Sequence, residues 1–277
     1  MYADDTTVHI AGKSLDTIQE KLQIDLNNVS RWCTINNMAI NPKKTTCMVL
    51  CTKQTLKVNK KLNLTIEGNV IENVTTQKLL GIVIDNCLTW KPHIDMISAK
   101  LSSKLYLLRR IEGYLSLEMK KMFYNGYITP IYDYGCITWK HANKTELNRL
   151  TKIQKRIACT ILRKPKKEAA NELCKQLDWM TIPNRMEYFT GLMVYKSIHN
   201  LTPLYMSKLL KLADNAHYNL RSKSHIDIAQ IQPRTNYMKC TFSYSGMKTW
   251  NAIPPNIRNT QNYRAFKIQY KTYLQNL

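Results

Sequence analysis

The chain has 277 residues, enough for one large domain or two small ones, and carries 41 Lys and Arg against 19 Asp and Glu, a formal net charge of +22. That excess excludes an ordinary charge-balanced soluble enzyme and points to a polyanionic partner. No apolar run approaches the ~20 residues of a membrane span. The N-terminus lacks a signal-peptide layout, and the eight scattered cysteines contain no Cys-x-x-Cys pair, which excludes a zinc ribbon and points to a reducing, intracellular compartment.

The chain opens Met1-Tyr2-Ala3-Asp4-Asp5. Adjacent carboxylates repel, and each resists ionising beside the other. A divalent cation offsets that cost, and Mg²⁺ accepts one or two carboxylates while leaving positions for water and phosphate oxygens. Thr6-Thr7-Val8-His9-Ile10 is β-branched and strand-like, so the expectation is a hairpin with the acids at its tip. The plainer reading of the tetrapeptide alone is an ordinary Asp-Asp turn.

Ser14 is a good N-cap, and Leu15, Ile18, Leu22, Leu26, Val29 and Trp32 recur at helical spacing. This predicts an amphipathic helix of about five turns, stopped at Asn36-Asn37. Asn41-Pro42-Lys43-Lys44-Thr45 leads into a predicted strand, Thr46–Leu50, with Cys47 and Cys51 spaced to share one face as buried thiols. Lys44 reads by itself as a solvated lysine at a strand entrance. Residues 53–61 are a basic loop. Leu62–Ile66 and Val70–Val74 flank Glu67-Gly68-Asn69 as a hairpin. In Lys78–Asp85, Gly81 among apolar strand residues suggests close approach of another backbone. Asp85 suits a strand-end or capping role better than a metal ligand, and Trp90 suits core packing at a strand–helix junction.

From residue 94 the pattern turns helical and basic. Residues 100–170 hold 16 basic and 5 acidic residues and residues 171–277 hold 14 and 5, against 11 and 9 in residues 1–99. Ile97, Leu101, Leu105, Leu108 and Ile111 form one stripe beside Lys100, Lys104, Arg109 and Arg110. Ser116 caps a second helix, Leu117 to about Tyr127, with Glu118 near its positive end. Thr145 is read as the cap of a third, with Leu147, Leu150, Ile153, Ile157 and Ile161 inward and Arg149, Lys152, Lys155 and Arg156 on other faces. Arg163–Lys167 reads as a basic linker. Residues 168–212 look helical and 213–245 irregular, and Trp250 and Phe266 read as anchors of a small core.

Tyr2-Ala3-Asp4-Asp5, the Asn-Pro-x-Lys-Thr string at 41–45, LGIVIDNCLTWKPHI at 80–94 and Tyr-Gly-Cys-Ile-Thr-Trp at 134–139 together resemble the reverse transcriptases of non-LTR (LINE-type, jockey-like) retrotransposons. The segments 242–246, 250–254 and Phe266-Lys267 resemble the tail of such reading frames. The resemblance implies an α+β fold: a partial reverse-transcriptase palm, a small antiparallel sheet plus helix, at 1–92; a helical thumb at 93–163; and a mainly helical, basic C-terminal region at 164–277. It implies Asp4 and Asp5 as Mg²⁺ ligands, Tyr2 beside the primer end, and Lys44 at phosphate or protonating the pyrophosphate leaving group. It makes Leu80 and Gly81 part of the primer grip. Lys100, Lys104, Arg109, Arg110, Lys152, Lys155 and Arg156 then contact nucleic acid, with an RNA template and a DNA primer or target as partners. A nuclear and cytoplasmic ribonucleoprotein is the implied setting. Because fingers and a third aspartate precede the acidic motif in that family, the expectation is a degenerate or truncated copy, or a reading frame begun at an internal methionine, that does not polymerise unaided. The alternative is a basic nucleic-acid-binding protein without catalysis.

Overall fold

The computed structural model describes residues 5–52, 54, 61–165, 167–213 and 227–276. They fall into two compact units, Met1–His93 and Ile94–Leu277. The first combines one helix with small sheets and the second is helical, so the fold class is α+β.

In the first unit, α1 runs Leu15–Ile35 from an extended Ser14. It stops where Asn37 turns left-handed (φ 53°). Leu15, Ile18, Leu22 and Leu26 pack on a buried cluster of Cys47, Leu62, Leu64, Ile66 and Ile71. The expected stripe does not persist to the helix end, since Trp32 is exposed.

The strands are short. β1 (Thr46–Cys47) pairs in parallel with β4 (Glu72–Asn73), and β2 (Thr65–Ile66) pairs antiparallel with β3 (Asn69–Val70). The strand expected over Thr46–Leu50 is thus only two residues long, and its Cys51 lies beyond it, half-buried, with its N–H turned to the Asn86 carbonyl. Side-chain amides take over where the ladder stops. Asn73 accepts from the Leu62 N–H and donates to the Leu62 carbonyl. From α1, Gln23 does the same at Thr65, and Gln19 accepts from the Asn63 N–H. These bonds satisfy backbone groups that a longer strand would have paired.

β5 (Thr76–Leu79) and β6 (Ile82–Asp85) form the longest hairpin. Its two-residue turn is Leu80-Gly81, with φ of 46° and 84°. Positive φ at both positions is what a type I′ hairpin turn demands. Gly81 is therefore a turn residue, not a mid-strand glycine under another backbone. Glu67-Gly68 (φ 49° and 77°) makes the same turn between β2 and β3, so Asn69 lies in a strand and not in the turn.

The long helix α2 spans Lys91–Ile111. In the second unit follow α3 (Leu117–Phe123), a π-turn (Tyr124–Ile128), α4 (Thr129–Asp133), α5 (Cys136–Trp139) and α6 (Lys144–Leu162). The Ser116 hydroxyl accepts from the Met119 N–H, as expected of a cap. The helix does not continue regularly to Tyr127. Pro130 has no N–H to give to the carbonyl four residues back, and a wider turn absorbs the missing bond. α6 starts after Asn143, not at Thr145, because the Asn143 carbonyl already accepts from Glu146 and Leu147.

Next come α7 (Ala170–Gln176), α8 (Ile182–Ile198), α9 (Leu204–Ser207), α10 (Asn236–Lys239), α11 (Phe242–Asn251), α12 (Pro255–Arg258) and α13 (Tyr263–Gln275). The stretch expected to be irregular up to 245 contains α10 and the start of α11. Thr235 and Thr241 accept from Met238 and Tyr244 N–H groups and start them.

Trp250 and Phe266 are fully buried, their ring centroids 5.7 Å apart, with Tyr195 stacked on Phe266 at 4.4 Å. The expected anchors therefore sit inside a ring-rich core that also takes in Tyr188, Val194 and Tyr270. Gly191 sets how closely α8 and α13 approach. A Cβ there would lie 2.4 Å from Tyr270 Cε1.

Candidate nucleic-acid interface

Tyr2 and Asp4 lie outside the described residues. Asp5 is described, exposed, at an isolated bridge position, and Thr6–Ile10 run on without the expected strand, mostly exposed. A strand needs a ladder of partners, and none of the named strands pairs with Thr6–Ile10 among the described residues. No set of three His, Cys, Asp or Glu side chains converges among the described residues.

Lys44 is exposed on the tight turn that delivers the chain into β1. The Asn41 carbonyl accepts from the Lys44 N–H and from the Thr45 hydroxyl, and the Asn41 side chain accepts from the Lys43 N–H. The turn is self-contained, so the ammonium of Lys44 projects from fixed backbone.

Leu80 and Gly81 are exposed at the tip of the β5–β6 hairpin. Its base is fixed by two buried groups. The Asp85 carboxylate accepts from the N–H groups of Thr89 (2.9 Å) and Trp90 (2.8 Å), capping the turn into α2 as expected. Those bonds stabilise a corner in which Leu88 and Trp90 both adopt positive φ (53° and 64°), costly for residues with a Cβ. Trp90 is half-buried at that corner. His93 is 2% exposed and accepts from the Val83 N–H at Nδ1 (3.2 Å), which tethers β6 to the first turn of α2.

The basic residues of the second unit expected to contact nucleic acid divide by helix. On α2, Lys100 and Lys104 are one turn apart beside the buried Ile97, Leu101, Leu105 and Leu108. Lys104 lies 5.7 Å from the centre of the Tyr127 ring. Arg109 and Arg110 occupy the last turn of α2, where positive charge complements the helix dipole, and Arg110 also lies 6.0 Å from the Tyr106 ring. On α6, Lys152, Lys155 and Arg156 share one face while Leu150, Ile153, Ile157 and Ile161 are buried. Arg149 is neutralised by Asp95 (2.6 Å) and Glu146 (2.5 Å), so it adds little to the field.

Sequence reading missed the buried polar groups that stiffen this unit. Gln154 donates to Tyr124 and the Met180 carbonyl and accepts from the Ile182 N–H. Tyr124 stacks on Trp179 at 3.4 Å and hydrogen-bonds Tyr132, whose hydroxyl burial pushes up to about 12. Arg185 grips Asp133 through two hydrogen bonds, and Lys140 meets Glu187 (2.9 Å), Thr190 and Thr249. Burial raises Asp133 above the usual carboxylate range, against the opposing pull of Arg185. Also missed was a convergence of Arg185, Phe189, Lys196, Tyr263, Lys267 and Lys271 around one cavity. Its signal was present as one-turn spacing in 263, 267 and 271.

Over 193 residues, 69% of its length, the chain is 26% identical to a probable RNA-directed DNA polymerase from transposon BS of Drosophila melanogaster. It is 27% identical over 160 residues to the probable polymerase from transposon X-element of the same fly, and 28% over 156 residues to that of its mobile element jockey. The chain is similar to the RNA-directed DNA polymerases of jockey-like, LINE-type elements. It spans 21% of the BS polymerase and 17% of the X-element and jockey polymerases. No family model and no solved structure matches it.

Proposed function

We propose that the chain serves as the part of a jockey-like reverse transcriptase that presents the acidic motif and holds the primer–template duplex. The observation that carries this reading is the likeness to the polymerases of BS, X-element and jockey. The basic faces of α2 and α6 support it. Residues 1–92 act as palm and 93–163 as thumb. Asp4 and Asp5 hold Mg²⁺, which in nucleotidyl transfer stabilises attacking and leaving oxygens. Lys44, on its rigid turn, neutralises phosphate charge. Leu80 and Gly81 meet the primer terminus at the end of a hairpin that Asp85 and His93 keep from swinging. Lys100, Lys104, Arg109, Arg110, Lys152, Lys155 and Arg156 track the backbone of an RNA–DNA duplex without reading its sequence.

On this reading the chain binds a primer–template duplex through the basic faces of α2 and α6. A basic nucleic-acid-binding protein without catalysis shares that behaviour, and one experiment separates the two. The chain is joined to the preceding palm and fingers segment of the jockey polymerase and supplied with primer–template, nucleotides and Mg²⁺. The polymerase reading expects extension that Asp4→Ala or Asp5→Ala abolishes. Absence of extension with duplex binding intact would favour the non-catalytic reading, and extension unaffected by both substitutions would overturn the assignment of the acids.

A further inference from the structure

Between α8 and α13 lies an open cavity of about 450 Å³, within the range of small-ligand pockets. Arg185, Phe189 and Lys196 border it at one-turn and two-turn intervals along α8, and Tyr263, Lys267 and Lys271 face it along α13. Two facing helix stripes therefore supply rings and cations together, and no carboxylate lines the cavity among the described residues. Lys267 and Lys271 are exposed one turn apart, and the Lys196 ammonium lies 5.1 Å from the centre of the Tyr263 ring. Arg185 is committed to Asp133, which leaves its guanidinium 5.8 Å from the Phe189 ring as part of the wall. Gly191 keeps the helices close enough for the two stripes to face one cavity.

We propose that this cavity is a second nucleic-acid site, which takes a splayed base of a single strand against Phe189 and Tyr263 while Lys196, Lys267 and Lys271 hold the adjoining phosphates. Half-buried rings offer stacking faces that tolerate any base, and the lysines supply backbone contacts, the combination that single-strand binding uses. A duplex keeps its bases stacked and inserts one only at the cost of unpairing and unstacking it. The site is separate from the basic faces of α2 and α6 and does not rest on the polymerase reading.

The test uses the full chain, a fluorescein-labelled oligo(U) ten-mer, a 20-base-pair duplex and a ten-mer carrying 2-aminopurine. Lys267→Ala/Lys271→Ala is expected to weaken oligo(U) binding about tenfold at low salt. It should flatten the slope of log K against log[salt] by about 1.4, roughly 0.7 for each lost single-strand phosphate contact, and leave duplex affinity unchanged. Phe189→Leu, which keeps an apolar side chain on the core, is expected to remove the quenching of 2-aminopurine. Lys152→Glu/Arg156→Glu should weaken the duplex and spare oligo(U). Oligo(U) affinity unchanged in the double lysine variant would overturn the proposal. So would polyglutamate binding as tightly as oligo(U) with no 2-aminopurine quenching, which would assign the cavity to acidic peptide.

Discussion

Among the described residues, the buried cluster of the N-terminal unit holds Cys47, Leu62, Leu64, Ile66 and Ile71 and no aromatic ring, whereas the core of the helical unit is built on Tyr188, Tyr195, Trp250, Phe266 and Tyr270. The sheets of the first unit are pairs of very short strands, and the side chains of Gln19, Gln23 and Asn73 complete the backbone pairing that the strands leave undone. The second unit is held by large interlocked rings and by buried polar groups that satisfy one another across long sequence separations, such as Lys140 with Glu187 and Thr249. The first unit is thus a set of locally specified turns resting on one helix face. The second is a cooperative core that fixes the geometry of its cations.

The largest expected effect is in the ring-rich core. Trp250→Ala should cost about 3–5 kcal/mol, seen as an early unfolding step in calorimetry. The near-ultraviolet signal of Trp32 and Trp90 should persist through that step. A single transition in which both units melt together would show that their stabilities are not separable. Gly191→Ala should cost about 1–3 kcal/mol, because its methyl group would overlap the Tyr270 ring and force α8 and α13 apart. An unchanged melting temperature would show that the helices yield easily.

In the first unit, Asp85→Ala should cost about 1–2 kcal/mol, since it strips two half-buried N–H groups of their acceptor at a corner with two left-handed residues. Hydrogen exchange should then accelerate at Thr89 and Trp90 ahead of the β5–β6 ladder. Uniform acceleration would place the effect elsewhere.

A smaller effect concerns pH. Burial holds the imidazoles of His141 and His199 below the ordinary value of 6.5, and the charge of Lys140 pushes His141 further down. The unfolded chain therefore takes up protons first. The stability contributed by the neutral histidines is complete above about pH 6.5 and is lost as pH falls toward the folded values. The melting temperature of the helical unit should drop between pH 7 and 5.5, and His141→Gln should flatten that drop. A rise on acidification would contradict the sign.

The same contrast decides what could be read from residues alone. Helices α1, α2 and α6 were legible because apolar side chains recur with the helical period, and the β2–β3 hairpin because Glu67-Gly68-Asn69 interrupts two alternating runs, whereas the turn at Leu80-Gly81 was not legible as one, since the residues around it are a continuous apolar run. Asp85 was legible as a cap because it follows an apolar strand and precedes a helix. What escaped was non-local. Nothing in the spacing of Gln23 announces a bond to Thr65, and nothing near Gln154 announces Met180 and Ile182. The strand expected at Thr46–Leu50 failed because β-propensity does not supply a partner. Of the candidate site, the cations of α2 and α6 could be assigned to helix faces by spacing, and Lys44 to the entrance of a strand. The cavity between α8 and α13 could not be seen, since its two stripes are about 70 residues apart in the chain and meet only on folding.

The most direct measurement is the salt dependence of primer–template duplex binding by the full chain. Duplex affinity should fall steeply with salt, as expected of several phosphate contacts, and Lys152→Glu/Arg156→Glu should reduce the slope of log K against log[salt] by about 2. Absence of duplex binding at low salt, or a slope unmoved by that substitution, would contradict the assignment of this face to nucleic acid.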